Sequence, residues 1–234
     1  SDAGTVAAAA AVTTILTGHV RLRAGRLALA VRLLDSASSE VLWSQEQSVD
    51  VASLAGLDVE GQWSREIAAR IGDVSGPVIR QELAREPSPA SEPELAARLA
   101  FYAYLDDGSV ASIHAAISRL DEALDAGFRT PPLLAMRAAL ANTSSVYDFA
   151  DRDTELDRAE GLAREALVRD GSNVHAHLVL SYPLMQRGQV DLAVELVEKA
   201  AELAAYQPTY LSTAGMALIV CGERPRGSAL IREA

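Results

Sequence analysis

The sequence has little of the chemistry that marks disulfide-rich, membrane-spanning or nucleic-acid-binding proteins. Cys221 is the single cysteine in 234 residues, which excludes a disulfide framework and a thiolate metal site within the chain. No run of 18 or more apolar residues occurs, so the sequence predicts no membrane-spanning helix. The net charge is −11, and residues 1–90 and residues 91–234 are both acidic, which argues against a phosphate backbone as partner.

The motifs of common catalytic and metal sites are also missing. We find no nucleophile elbow, phosphate loop or dinucleotide-binding fingerprint. The acidic residues 148–157 depart from a calcium loop, because Leu156 stands where glycine is needed and Leu162 where glutamate is needed. His175 and His177 are two residues apart and would point to different faces of a helix. The sequence therefore predicts a protein that is not an enzyme and that holds no cofactor or metal.

A period of 34 residues is the clearest signal in the second half of the chain. Small and apolar residues occur at the spacing of a helical hairpin and recur 34 positions later: Gly188, Ala193, Val197 and Ala200, then Gly222, Gly227, Ile231 and Ala234. These residues resemble the tetratricopeptide repeat. The resemblance implies about four stacked helical hairpins from Glu94 to the end of the chain, with an extended loop over residues 142–154.

The first half of the chain has strand-like alternation. Apolar and polar residues alternate over residues 13–24 and 27–33 on either side of an Ala24-Gly25 turn, and a third strand is predicted over residues 40–49, with Val41 and Trp43 on one face. A helix should follow, broken at Gly76-Pro77, and the Ala-rich residues 3–12 favour another helix.

Three prolines within residues 86–93 mark a boundary between these two patterns. We therefore predict a first domain at residues 1–86, a Pro-rich linker at 87–93 and helical-hairpin repeats at 94–234. The predicted fold class is α+β: a small three-stranded antiparallel sheet with helices, followed by an all-α tetratricopeptide-like superhelix.

Three short stretches of the first domain resemble the TolB-like amino-terminal domain. They are Leu16–Val20, a glycine before an extended strand; Leu33–Asp35, a strand that ends in aspartate; and Val41–Trp43, with a tryptophan in the last strand. The family's opening strand, first helix and second strand have no counterpart here, so the resemblance implies a partial domain. A sheet that lacks those strands has a free edge, open to pairing with another chain, including a second copy as a homodimer.

A TolB-like domain followed by tetratricopeptide repeats is similar to the regulatory regions of bacterial CadC-like transcriptional regulators and of some adenylate cyclases. The resemblance implies a non-catalytic sensory or interaction region that binds a peptide or partner protein in the groove of the repeats. In such repeats the first helix of each hairpin lines the groove. The corresponding positions here are Arg98, Phe101, Ala135, Asn142, His175, Leu178, Tyr182, Met185, Thr209, Ser212 and Met216.

Other interpretations remain open at this point. The chain could be a small-ligand sensor with a pocket between its two domains, or a structural module that dimerises through the sheet edge. The groove residues could also be buried against the first domain, because a short array makes a shallow groove. Both periplasmic and cytoplasmic locations fit a bacterial protein with one cysteine.

Overall fold

The structure is a computed structural model that describes residues 12–53, 58–73, 76–84, 93–147 and 151–234. These residues fall into two compact units, one made of residues up to 72 with residues 76–81, the other of Asp73 and the residues from 82 onward. A three-stranded antiparallel sheet with helices precedes a run of helices, so the predicted fold class is confirmed. No helix in the described ranges is long and apolar enough to cross a membrane.

The sheet of the first unit has the order β1-β2-β3, with β1 at Thr14–Arg23, β2 at Arg26–Asp35 and β3 at Val41–Asp50. Both neighbouring pairs are antiparallel, as the sequence predicts. The turn between β1 and β2 consists of Ala24 and Gly25, whose φ angles of 48° and 75° are both positive. Two left-handed residues match the twist of a tight hairpin, so the turn fixes the register of β1 on β2.

A β-bulge at the start of β3 changes the predicted faces of that strand. Leu33 pairs with Trp43, whereas the next residue, Leu34, pairs with Val41, so Leu42 is an extra residue. Cross-strand partners share a face, and the bulge therefore puts Val41 and Trp43 on opposite faces. The prediction that these two residues share a face is wrong for this reason.

Two helices follow the sheet, after a 3-10 turn at Val51–Ser53. Helix α1 covers Val59–Ile71 and is capped by Asp58, whose carboxylate accepts a hydrogen bond from the Gly61 amide at 2.9 Å. Helix α2 covers Pro77–Ala84, so a new helix starts at the predicted Gly-Pro break.

Helix α1 packs on one face of the sheet, over β2 and β3. Val31 and Leu33 of β2 and Ile67 of α1 are buried. The Gln45 side chain of β3 donates a hydrogen bond to the Glu66 carboxylate of α1 at 3.1 Å. Among the described residues, the core of this unit therefore lies between the sheet and α1, and Gln81 of α2 donates to the buried Asp35 carboxylate at the end of β2 at 2.7 Å.

The second unit consists of helical hairpins. Its helices are α3 (Pro93–Asp107), α4 (Val110–Asp125), α5 (Pro131–Val146), α6 (Arg152–Arg169), α7 (Val174–Gln186), α8 (Val190–Leu203), α9 (Pro208–Val220) and α10 (Arg224–Glu233). They pair in sequence order as α3–α4, α5–α6, α7–α8 and α9–α10. The predicted linker at residues 87–93 lies outside the described residues except for Pro93, the first residue of α3. The predicted helix at residues 3–12 lies outside them except for Val12.

The 34-residue period appears in the geometry of the turns. Helix α9 begins and ends 34 residues after α7, and the turns that follow contain Gly188 and Gly222, with φ angles of 77° and 98°. Their amides donate to the carbonyls of Met185 and Ile219 at 3.0 and 3.1 Å. Because left-handed backbone favours glycine, the same residue type closes both helices.

The insertion in the second hairpin lengthens its helices instead of forming the long loop predicted at residues 142–154. Helix α5 continues to Val146, and the Ser144 hydroxyl donates to a carbonyl four residues back within the helix. Helix α6 begins soon afterwards and is capped by Asp151, which accepts from the amide of Thr154 at 2.9 Å. The loop prediction is therefore wrong for residues 142–146 and 152–154, because the residues in excess of the repeat length extend the two helices, and the Thr143 and Ser144 hydroxyls bond to carbonyls inside α5.

Small residues allow the hairpins to pack closely. Ala163, Ala193 and Ala200 have no exposed surface. The closest approach is between α9 and α10, where a Cβ built on Gly227 would lie 2.3 Å from the Gly215 carbonyl oxygen. Glycine at these two positions is therefore what permits the crossing.

One buried charge network joins the first two hairpins. Arg137 of α5 is 3% exposed and donates to the Asp121 carboxylate of α4 at 2.7 Å. It also lies 3.7 Å from the buried Glu155 of α6, which meets Arg158 at 3.3 Å. The two buried charges thus compensate each other, as a low-polarity interior requires.

Candidate functional site

The first helices of the four hairpins line a continuous surface of the second unit. Three cavities of about 430, 390 and 210 Å³ adjoin there, and Tyr104 and Thr143 line all three. We call this surface the repeat groove. Its other main lining residues on α3, α5, α7 and α9 are Phe101, Leu105, Ala139, Asn142, His175, Leu178, Tyr182, Thr209, Tyr210 and Thr213.

An aromatic cluster forms the centre of the repeat groove. The His175 ring of α7 lies 5.7 Å from the Phe101 ring of α3 and 5.8 Å from the Tyr210 ring of α9, measured between ring centroids. The Phe101 ring also meets the Tyr104 ring edge-on at 6.3 Å. Three hairpins therefore contribute to one aromatic wall.

This wall is electrically neutral. Burial lowers the pKa of His175 to about 4, so its imidazole carries no charge at neutral pH. Burial, followed by the nearby Tyr102 and the Asp73 carboxylate, raises the pKa of Tyr210 well above its usual value. No Asp, Glu, Lys or Arg lines the three cavities among the described residues. The groove therefore suits neutral, partly apolar ligand groups and offers no charged partner.

Asn142 supplies a polar group in the middle of α5. Its side-chain amide donates to the Val179 carbonyl of α7 at 2.9 Å, which links the second and third hairpins. The side-chain oxygen of Asn142 is buried and accepts no hydrogen bond from a described residue. A buried acceptor without a donor lowers the stability of the fold.

The structure brings six of the predicted groove residues together at the cavities. They are Phe101, Asn142, His175, Leu178, Tyr182 and Thr209. Within this unit the Thr209 hydroxyl already donates to the Asp73 carboxylate at 2.6 Å. That bond holds the start of α9 and leaves the Thr209 methyl group for the groove.

The other predicted positions lie outside the cavities. Met185 packs against the buried core between the second and third hairpins, and Ala135 is buried. Arg98 and Ser212 are half-buried, and Met216 is 56% exposed. The 34-residue register identifies the correct helices, but side-chain length and helix tilt decide which residues reach the groove.

Six of the groove residues named above were not predicted from the sequence: Tyr104, Leu105, Ala139, Thr143, Tyr210 and Thr213. Helical spacing would have found Tyr104 and Thr213 among them. Tyr104 follows Phe101 by three residues and Thr213 follows Thr209 by four, so each pair shares a helix face. Tyr210 gives no such signal, because its position depends on how α9 packs against α7.

Metal chemistry has no support in the described part of the chain. No group of three or more His, Cys, Asp or Glu side chains there is arranged to hold a metal ion. Cys221 is half-buried, and burial raises the pKa of its thiol.

The comparisons with known proteins find only distant likeness. No protein-family model matches the chain, and no curated protein matches it. Among solved structures, "Crystal structure of MamA" is 17% identical and covers 76% of this chain and 92% of its own, with a TM-score of 0.41. "MamA MSR-1 C2" is 14% identical and covers 75% and 95%, with a TM-score of 0.39. Because TM-scores this low carry no argument, the function proposed below rests on the geometry of the repeat groove.

Proposed function

We propose that this chain is a protein-interaction scaffold that binds an extended peptide segment of a partner protein in its repeat groove. The observation that carries the proposal is the row of adjoining cavities, lined by neutral side chains from the first helix of every hairpin. Concave sites with an apolar wall and a few placed polar groups are typical of ligand-binding surfaces.

The lining residues indicate the chemistry of the bound segment. Tyr104 and Tyr210 provide flat apolar area for aliphatic or aromatic side chains, and the buried Phe101 packs against the Tyr104 ring. The proposed ligand is therefore an extended segment with apolar side chains and no charge at the residues that enter the groove.

A peptide selection tests this proposal. Peptides are selected from a random library on the whole chain, and their dissociation constants are measured by fluorescence anisotropy. We expect neutral, apolar-rich sequences that bind about 5- to 30-fold more weakly to Tyr104→Ala and Tyr182→Ala, because each change removes an aromatic contact worth about 1–2 kcal/mol. Met185 is left unchanged because it packs in the core.

The matched control is Val168→Ala on α6, whose side chain is 87% exposed, on the opposite side of the helix from the buried Ala163 and Ala166. This variant should bind the selected peptides as the wild type does. Selected peptides that bind Tyr104→Ala and Tyr182→Ala with unchanged affinity would place the binding surface elsewhere and contradict the proposal.

The wider setting is proposed from the sequence resemblance alone. There the chain would be the non-catalytic sensory or interaction region of a bacterial signalling or transcriptional regulator. A small-ligand sensor between the two domains stays a prediction without a specific observation in its favour.

A further inference from the structure

Strand β1 is an edge that the described residues leave unprotected. It pairs with β2 alone, over ten residues without proline, bulge or acidic side chain. On the face that β2 buries, β1 exposes a row of apolar side chains: Leu16, Val20 and Leu22 are 52%, 68% and 68% exposed. Native edge strands usually avoid such a surface, because it invites pairing with another chain.

The exposure of this row follows from the width of the sheet. Three strands span about 14 Å, whereas one helix is about 10 Å wide. Among the described residues, α1 lies over β2 and β3, and α2 bonds to the end of β2 through Gln81, so the apolar row of β1 stays exposed. Val59 and Trp63 of α1, with Val20 and Leu29 of the sheet, line a cavity of about 600 Å³ between helix and edge. The apolar row of β1 is therefore the missing side of a partly built core.

The two edges of the sheet carry opposite charges on the other face. His19, Arg21 and Arg23 of β1 are exposed there, and the strand has no acid. Glu46 and Asp50 of β3 are exposed on the same face, and that strand has no base. Because the β1 edge is basic and the β3 edge is acidic, the β1 edge of one copy is complementary in charge to the β3 edge of another copy.

We propose that a second copy of the chain docks its β3 edge along β1. In one chain β1 and β3 run in the same direction, because both are antiparallel to β2. A second copy shifted sideways with the same face up therefore presents β3 parallel to β1. In the register that places residues 16–23 beside residues 43–50, Arg23 lies beside Asp50 of the second copy and His19 beside its Glu46.

The same register completes the apolar face. It sets Leu16 beside Trp43 of the second copy and Leu22 beside its Val49. In the second copy, α1 lies over β3. Because that β3 is paired with β1 of the first copy, the α1 of the second copy lies next to the apolar row of β1 in the first copy and covers it. A symmetric pairing of β1 with β1 would instead put two uncovered strands together. Head-to-tail pairing does not close on itself, so the assembly should grow with concentration.

Reciprocal charge reversal tests the pairing. One variant carries His19→Glu and Arg23→Glu, and the other carries Glu46→Arg and Asp50→Arg. Sedimentation velocity on the whole chain should show concentration-dependent assembly of the wild type, monomers for each variant alone, and restored assembly when the two variants are mixed. A wild type that stays monomeric up to millimolar concentration overturns the proposal. Assembly that persists in the Glu46→Arg/Asp50→Arg variant also overturns it, because a symmetric β1 pairing does not involve those residues.

Cross-linking gives an independent readout that does not depend on charge. In a Cys221→Ser background, chains with Thr17→Cys are mixed with chains with Ser44→Cys, two positions that the proposed register sets side by side. The expected product is a disulfide between the two variants, at least about tenfold more than with Ser48→Cys, which lies four residues out of register. A disulfide mainly between two Thr17→Cys chains would show symmetric pairing and overturn the proposal.

Discussion

The two units of this chain differ in how completely they bury their apolar faces. A helical hairpin and a sheet each have one apolar face that must be covered by something else. In the repeat unit every hairpin is covered by the next, so Ala163 and Ala193 have no exposed surface. In the sheet unit one helix covers two strands of three, and Val20 and Leu22 remain exposed. The comparison shows that periodic stacking buries a surface wherever a neighbour follows, whereas a lone sheet is only as complete as the width of its cover.

The largest expected effect is at the buried charge of the repeat unit. Arg137→Ala should lower the free energy of unfolding by about 3–5 kcal/mol, because it leaves Glu155 buried with a single partly exposed partner. Arg119→Ala on α4 is the matched control, since its ion pair with Glu122 is exposed on both sides and should change stability by under about 1 kcal/mol. Urea denaturation followed by circular dichroism measures both. Equal losses of unfolding free energy for the two variants would show that burial does not determine how much each charged side chain contributes to stability.

Acidification should weaken the repeat unit through His175. Its pKa is about 4 in the folded chain and 6.5 when unfolded, so the unfolded state takes up a proton first as the pH falls. The stability is fully present above pH 6.5 and is lost between pH 6.5 and 4, by at most about 3 kcal/mol.

The measurement compares the wild type with His175→Leu between pH 8 and 4.5. This window stays above the range in which Glu165 titrates, because hydrogen bonds from Arg129, together with Arg169, lower the pKa of Glu165 from 4.5 to about 2. The stability difference between the two proteins should be constant from pH 8 to about 6.5 and should change steadily from there down to pH 4.5. A difference that is independent of pH would mean that His175 is well solvated.

The glycine crossing between α9 and α10 should show how tightly the last hairpin is packed. Gly227→Ala should cost about 1–3 kcal/mol, because the new methyl group meets the Gly215 carbonyl and the backbone has to move. Gly161→Ala on α6 is the control. No atom lies within 4 Å of its added methyl group, so it should stabilise the helix by about 0.5–1 kcal/mol. Opposite signs for the two substitutions in thermal unfolding would establish the close crossing, whereas equal signs would contradict it.

The smallest effect is expected on β1. Leu22→Thr should change the stability of the monomer by about 0.5 kcal/mol or less, because the side chain is mostly exposed and threonine suits a strand. Leu33→Thr, on the same face of β2 but 3% exposed, should cost about 2–4 kcal/mol. Denaturation at low protein concentration keeps self-association out of the comparison. A large loss for Leu22→Thr in the monomer would show that β1 is covered within its own chain.

Sequence patterns found the elements of this protein more reliably than their edges. The hairpin at Ala24-Gly25 and the 34-residue turns at Gly188 and Gly222 could be predicted, because each depends on local backbone geometry. The bulge at Leu42 and the continuation of α5 past Asn142 could not. The bulge depends on how β3 pairs with β2, which lies outside the local sequence of β3. Serine and threonine hydroxyls can cap the end of a helix or bond to a carbonyl inside it, and the local sequence does not decide between the two.

The candidate site shows the same division. A repeat register assigns helices to the groove, and Phe101, Asn142, His175 and Tyr182 were found in this way. Met185 was assigned to the groove but packs against the core, and Tyr210 lines the groove without having been assigned to it, because the packing of each helix on its neighbours decides which side chains meet the core and which meet the cavity.

The sequence by itself determined the α+β class, the order of strands and hairpins, and the acidic balance, since these follow from periodicity, turn residues and charge. Only the tertiary structure decided that the repeat groove is aromatic and uncharged and that β1 lacks a cover. Both depend on which side chains meet across helices and strands far apart in the chain, and on the width of one helix compared with three strands.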